Sequence, residues 1–209
     1  MWSDPARCNV SLEIETKFAV EAFAPIRTAL CRVGGERISC VFEENIVLDT
    51  PEGALRQRGM LLRLRRDAAG RITLKLPVAA SAGKGLKVRQ ELETGVGDVA
   101  VVETILAHLG YVPALRYEKV RETWHLPDVE VCLDLLPFGR YLEIEGRAEA
   151  IAPTAASLSL SMDAALTATY HDLYQQYLRA QGLPPGDSFV FSPDARRDAL
   201  AALAAGIEL

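Results

Sequence analysis

One pattern constrains this chain more than any other: short apolar segments in which charged residues recur at every second position. It begins at Glu13-Ile14-Glu15-Thr16-Lys17, inside Asn9 to Phe18, and returns in Arg63/Arg65, Thr73/Lys75, Arg89/Glu91/Glu93, Lys119/Arg121 and Glu143/Glu145. A period of two is the signature of a strand with two unlike faces. One such segment reads as an ordinary solvated face. Six of them, each backed by apolar neighbours, predict a sheet closed on itself with the charged face turned into a wet lumen.

At 209 residues, with 49% hydrophobic and 24% charged content, the chain has the size and composition of one large globular domain. No apolar run approaches the ~20 residues of a membrane-spanning helix, and Met1 to Arg7 shows no signal-peptide pattern. Cys8, Cys31, Cys40 and Cys132 lack metal-site spacing, so reduced thiols and a cytoplasmic location are expected. The net charge of −5 argues against nucleic acid as a partner. Basic residues nevertheless gather between Arg56 and Arg121, which predicts a local anion site within an acidic molecule.

Taken in order, a helix is expected over Glu21 to Cys31 and strand over Arg37 to Leu48, followed by a turn at Asp49-Thr50-Pro51-Glu52-Gly53. Leu55 to Gln57 reads as a brief strand. Met60 to Arg66 and Arg71 to Leu76 form a hairpin about Asp67 to Gly70, and Val78 to Gly85 is a loop before the strand Lys87 to Thr94. Asp98 caps a helix to Leu109, with Val102, Ile105, Leu106 and Leu109 as its apolar stripe. Tyr117 to Leu126, Val129 to Leu136 and Arg140 to Arg147 form a meander. One long helix is expected within Thr154 to Gln181, its Tyr170, Tyr174 and Tyr177 packed on the barrel. After Pro184-Pro185-Gly186, Ser192 caps an alanine-rich terminal helix. The domain is placed at 1–183 and a helical extension at 184–209.

Projected by alternation, the lumen receives Glu13, Glu15, Lys17, Arg63, Arg65, Lys75, Arg89, Glu91, Glu93, Lys119, Arg121, Asp134, Glu143 and Glu145. Burying so much charge for structure alone is unfavourable. Arginine and lysine at this density suit phosphate oxygens. Carboxylates beside them suit a hard divalent cation, Mg²⁺ or Mn²⁺, completed by phosphate and water. Together these groups are suited to cleaving a phosphoanhydride.

Glu13-Ile14-Glu15-Thr16-Lys17 resembles the ExExK signature of the CYTH superfamily, the triphosphate tunnel metalloenzymes. The resemblance extends, in the family's order, through Leu62-Arg63-Leu64-Arg65, Thr73-Leu74-Lys75, Arg89 to Glu93, Glu118 to Arg121, Leu133-Asp134 and Gly139 to Gly146. It implies an α+β fold, an eight-stranded antiparallel barrel forming a tunnel with helices outside. It also implies that Glu13, Glu15, Glu143 and Glu145 bind metal with Asp134 assisting. Lys17, Arg63, Arg65, Lys75, Arg89, Lys119 and Arg121 would grip a triphosphate, and Lys17 would orient or deprotonate the nucleophile. Glu91 and Glu93 are either further metal ligands or partners of the bases. The segment Asn45 to Pro51 departs from the pattern, with Ile46, Val47 and Leu48 where aromatics are common.

The expected reaction is metal-dependent hydrolysis of a triphosphate, inorganic or organic. The alternatives are a class IV-type adenylyl cyclase and a non-catalytic triphosphate-binding module. The expected partner is a triphosphate-bearing small molecule, with neither nucleic acid nor membrane; a homodimer is left open. His108, His125 and His171 are expected in surface or core roles.

Overall fold

The computed structural model describes residues 10–79 and 83–206. Eight strands close into a barrel: β1 (Val10–Val20), β2 (Glu36–Asp49), β3 (Leu61–Arg66), β4 (Gly70–Pro77), β5 (Lys87–Val96), β6 (Val112–Leu126), β7 (Val129–Leu136) and β8 (Gly139–Gly146). Around the ring they run β1-β5-β4-β3-β2-β6-β7-β8, every pair antiparallel. Six α-helices accompany them: α1 (Ala24–Arg32), α2 (Ala54–Gln57), α3 (Val99–His108), α4 (Ala148–Ser157), α5 (Tyr170–Ala180) and α6 (Pro193–Ala204). The closed sheet with charge inside is the one the alternation predicts, and its eight antiparallel strands with helices outside are those the family resemblance implies. Among the described residues, no helix is long and apolar enough to cross a membrane.

Because the lumen is polar, hydrophobic burial takes place outside the barrel. One cluster packs Phe23, Ile26 and Leu30 of α1 and Ile151 and Ala155 of α4 on the outer faces of β1, β6, β7 and β8. Trp124 lies there, on the shell side as its alternation with Thr123 implies, and its indole N–H donates to Glu122 at 2.7 Å. A second cluster seats α2 and α3 against β2 and β3. The third is aromatic, joining Tyr141 and Leu173 to Phe189, with Tyr117, Phe138, Tyr170 and Tyr174 around them.

Local chemistry accounts for the differences from expectation. Leu55 to Gln57 belongs to α2, not to a strand. The Asp49 carboxylate accepts from the backbone N–H groups of Thr50, Leu55 and Arg56 at 2.7–2.9 Å, which folds the chain into a helical turn. The long helix expected within Thr154 to Gln181 is two helices. Ser159 takes a left-handed φ of 63° after α4, and Leu166 donates its N–H to the Lys17 carbonyl at 2.7 Å. A capping box between Thr169 and Asp172 then starts α5. In α3 the Asp98 cap forms as expected, but Ile105 and Leu109 face solvent, while Val99, Val102 and Leu106 supply the packed face.

The chain after Pro185 packs on the barrel. The upper part of β6 extends beyond the register of β7, leaving its edge uncovered by that strand. Phe189 occupies this edge as a short parallel bridge, donating to Arg116 O at 3.0 Å and accepting from Glu118 N at 3.1 Å. α6, capped by Ser192, anchors through Arg196 to Glu118 and to Glu44 at 2.7 Å. Residues 80–82 of the expected Val78–Gly85 loop, Cys8 and the last three residues of the expected terminal helix lie outside the described residues.

Candidate active site: a charged tunnel

The barrel encloses a cavity of about 710 Å³, well within the range of small-molecule sites. Of the residues expected inward, all but Asp134 line it. The walls differ. Glu13, Glu15, Glu143 and Glu145 project from neighbouring strands β1 and β8, whereas Arg63, Arg65, Lys119 and Arg121 project from β3 and β6, which flank β2 on the opposite arc of the ring.

Most of these charges are paired within the tunnel, many of them between neighbouring strands. Lys75 donates to Glu13 at 2.5 Å and sits 2.8 Å from Glu91; Lys87 donates to Glu15 at 2.8 Å. Lys17 is enclosed between Glu143, to which it donates, and Glu15 at 3.9 Å. Arg65 reaches Glu93 at 3.2 Å and Glu43 at 3.4 Å, and Arg63 approaches Glu93 at 3.7 Å. Glu93 therefore serves as a partner of the bases. Arg89 stands at the mouth, donating to Gly59 O at 2.9 Å.

Asp134 lies behind the cavity wall, outside the lining. It is fully enclosed, and its two oxygens accept four hydrogen bonds: two from Arg121 at 2.5 and 2.7 Å, one from Lys119 at 3.1 Å and one from the Tyr170 hydroxyl at 2.6 Å. Three of the four fall on Oδ2 and one on Oδ1, so Asp134 ties Lys119, Arg121 and Tyr170 together behind the lumen wall.

The electrostatics set the carboxylates apart. Burial raises the pKa of Glu143, but Lys17, Arg121 and Lys119 outweigh it and hold the carboxyl well below its ordinary value. Glu15 is likewise lowered, burial being outweighed by Lys17, Lys87 and Lys75 against the opposing charge of Glu143. In Glu13 burial prevails over Lys75 and the value is raised. Burial, reinforced by Glu13 and Glu15, pushes Glu145 up to about 7. Lys17 moves upward because Glu143 and Glu15 overcome burial, which keeps it an ammonium.

Glu145 forms no side-chain hydrogen bond or ion pair among the described residues, and its position yields a pH prediction. An acid whose folded pKa exceeds its unfolded value costs stability as pH rises from the ordinary carboxylate range through the folded value, and the full cost persists above it. Glu145→Gln, which cannot ionise, is expected to be more stable than the parent at pH 8, by on the order of 2 kcal/mol. The difference should vanish near pH 4. Urea unfolding of metal-free protein at both pH values measures it; equal stability at pH 8 would show that the carboxylate is hydrated.

Some polar groups in the tunnel lack partners. Arg63 Nε, Glu13 Oε2 and Asn45 Oδ1 are buried without a hydrogen bond, and Arg65 Nε has only the Asp67 carboxylate at 3.5 Å. Unmet N–H donors suit an anion, and an unmet carboxylate oxygen beside Glu145 suits a hard cation. Among the described residues, no three acidic, histidine or cysteine side chains converge as a ready-made coordination sphere, because ammonium groups engage the carboxylates.

Several lumen residues escaped the sequence reading. Lys87 continues the alternation of Arg89, Glu91 and Glu93 and was legible from it. Glu43, nearly inaccessible, is held down at about 2, burial being outweighed by Lys119, Arg121 and Arg65. It was obscured because charge does not alternate along β2: Val41 and Val47 share its inward face, and Glu44 follows it directly on the other. Tyr170 and His171 reach the cavity from α5, and Asp187 and Phe189 from the C-terminal segment. His171 lies 2.9 Å from Asp187. Of the cysteines, Cys31 and Cys132 are thiols, and burial pushes Cys132 up to about 12, so it is inert.

An eight-stranded antiparallel barrel with a hollow, charged interior is the class that fold and site define. The model of the CYTH domain matches residues 11–158, and the chain belongs to that family. A Methanocaldococcus jannaschii protein named "Putative adenylate cyclase" is 28% identical over 138 residues, 64% of this chain and 76% of its own length. A Vibrio parahaemolyticus protein of the same designation superposes with a TM-score of 0.70 at 20% identity, over 78% of this chain and 98% of its own. A Hippeastrum protein so designated, and described as having a dominant triphosphatase activity, superposes with a TM-score of 0.51 at 17% identity. That match covers 94% of this chain and 97% of the plant chain.

Proposed function

We propose that this chain hydrolyses the terminal anhydride of a triphosphate bound in the tunnel, with a divalent cation, Mg²⁺ or Mn²⁺. The observation that carries the reading is the pairing of unmet groups: buried arginine donors on one arc and an unmet carboxylate oxygen on the other. Such a lumen is completed by an anion and a cation together.

Arg63, Arg65, Lys119 and Arg121 bind the phosphate oxygens, the guanidinium groups as forks and the lysine as a point charge. Lys75 and Arg89 extend the basic surface toward the mouth. Glu13, Glu15, Glu143 and Glu145 would hold the cation, with Glu13 and Glu145 the least neutralised by neighbouring bases; when bound, it offsets the charge that builds on the phosphoryl group. Lys17, kept as an ammonium by Glu143 and Glu15, orients the attacking water by donating to it. Glu91 and Glu93 keep Lys75, Arg63 and Arg65 extended. The triphosphatase activity of the Hippeastrum relative favours hydrolysis. The cyclase designation of the other relatives supports a second reading, cyclisation of ATP to cyclic AMP and pyrophosphate.

Product analysis with tripolyphosphate and ATP in parallel, each with Mg²⁺ and with Mn²⁺, separates the readings. Phosphate from tripolyphosphate without cyclic AMP from ATP is the expected result. Cyclic AMP would replace hydrolysis with cyclisation, and binding without any product would make the barrel a triphosphate-binding module. Glu13→Gln is expected to lower metal-dependent turnover at least about 100-fold with little loss of fold. Full activity in that variant would overturn the metal assignment.

A further inference from the structure

The part of the chain beyond residue 158 supplies a group that reaches the charged layer from outside the barrel. Tyr170, the first residue of α5, sends its hydroxyl to Asp134 at 2.6 Å. Its ring lies over two ammonium groups, Lys17 Nζ at 4.6 Å and Lys119 Nζ at 5.6 Å from the centroid. The ring also makes an edge-to-face contact with Tyr141, the centroids 5.3 Å apart.

We propose that Tyr170 is a positioning residue of the tunnel. Its hydroxyl fixes Asp134, and through it Lys119 and Arg121, while its ring fixes Lys17. The inference rests on the triphosphate-tunnel reading and deepens it, because these are the bases assigned to the phosphates and to water.

Three features hold Tyr170 in that pose. Leu166, four residues earlier, donates its N–H to the carbonyl of Lys17 itself, so the segment is tied to the strand whose side chain the ring covers. Thr169 and Asp172 close a capping box around the first turn of α5. His171, the next residue, is joined to Asp187 of the C-terminal segment. A tyrosine serving only as packing would need none of its polar alignment.

The physics separates the roles of ring and hydroxyl. A buried ammonium attracted to a ring face loses rotational freedom and stays aimed. The hydroxyl is one of four donors on Asp134; without it, the carboxylate can rotate and carry Lys119 and Arg121 with it.

The test compares Tyr170→Phe, which retains the ring, with Tyr170→Leu, which retains neither group, each measured below its own melting temperature. With tripolyphosphate and Mn²⁺, Tyr170→Phe is expected to raise KM about fivefold with kcat unchanged, the mark of weakened phosphate binding. Tyr170→Leu should show the same rise in KM and also lose about tenfold in kcat, through Lys17. An activity-independent arm observes the Lys17 ammonium by ¹H–¹⁵N NMR. A slowly exchanging, ring-shifted signal is expected in the parent and in Tyr170→Phe but not in Tyr170→Leu.

A Lys17 signal unchanged by Tyr170→Leu would overturn the proposal, as would kinetics equal to the parent in both variants. A parent protein that turns over no triphosphate would defeat the functional reading alone. The NMR comparison would then still decide whether Tyr170 fixes Lys17.

Discussion

Asp134→Ala is expected to destabilise the protein by about 3–5 kcal/mol, the usual cost of removing one partner from a buried ionic cluster. The carboxylate is completely enclosed and accepts from Arg121, Lys119 and Tyr170. Its removal leaves Lys119 with only Glu43 at 3.6 Å, and Arg121 with only Glu143. The penalty is large because Lys119 is almost inaccessible and loses its nearest charge partner, at 3.1 Å. Urea unfolding monitored by tryptophan fluorescence measures it, with Asp134→Asn as the control that keeps shape and part of the acceptor capacity. A loss below about 1 kcal/mol would show that the tunnel hydrates these bases freely, and the fixed network described above would then be wrong. Triphosphate binding should fall with stability, since Lys119 and Arg121 lose the anchor that aims them.

Phe189→Ala is expected to cost a similar amount, about 3–5 kcal/mol, for a different reason. Phe189 is 2% exposed although it lies in the C-terminal segment outside the matched domain. Its ring stacks on Tyr117 at 5.1 Å, meets Phe138 edge-on at 5.3 Å and lies 5.1 Å from Tyr174. Truncation leaves a cavity within a ring of aromatics that cannot collapse together, and it loosens the segment that covers the upper edge of β6. An effect on function should follow, because Tyr117 also accepts a hydrogen bond from Arg63 at 3.3 Å. Thermal unfolding and the KM for tripolyphosphate, measured on the same variant, are expected to move together. A stable variant with a normal KM would make the segment an appendage. The contrast is Arg197, whose ion pairs with Asp194 and Asp198 are exposed; its removal should change stability by less than about 0.5 kcal/mol.

The two sites differ in how far the sequence disclosed them. Asp134 was expected among the lumen groups from alternation, and the four donors that gather on it were not legible there. Alternation tells which face a side chain takes, and says nothing of how many donors will surround it. Glu93 was left between two roles, and its contacts with Arg63, Arg65, Arg71 and Thr73 make it a partner of the bases. Phe189 had no periodic signal at all. It is one aromatic in a short irregular stretch after Pro184-Pro185-Gly186, and only the unpaired edge of β6 gives it a place.

What the sequence by itself determined is the barrel and the identity of its interior. A period of two repeated over strands that must each bury an apolar face leaves one economical arrangement, a closed sheet with charges inward, and the family resemblance adds the helices outside. Only the tertiary structure decided how the interior charges are shared: that Glu43 and Lys87 join the network, that Asp134 gathers four donors, that Glu145 has no partner among the described residues, and that α5 brings Tyr170 onto Lys17. These facts depend on register and on contacts between residues far apart in the chain, such as Lys17 with Glu143 or Tyr170 with Asp134. The pattern along a strand encodes the direction in which a side chain points. The partner it meets is set by the closure of the barrel and the packing of the helices around it.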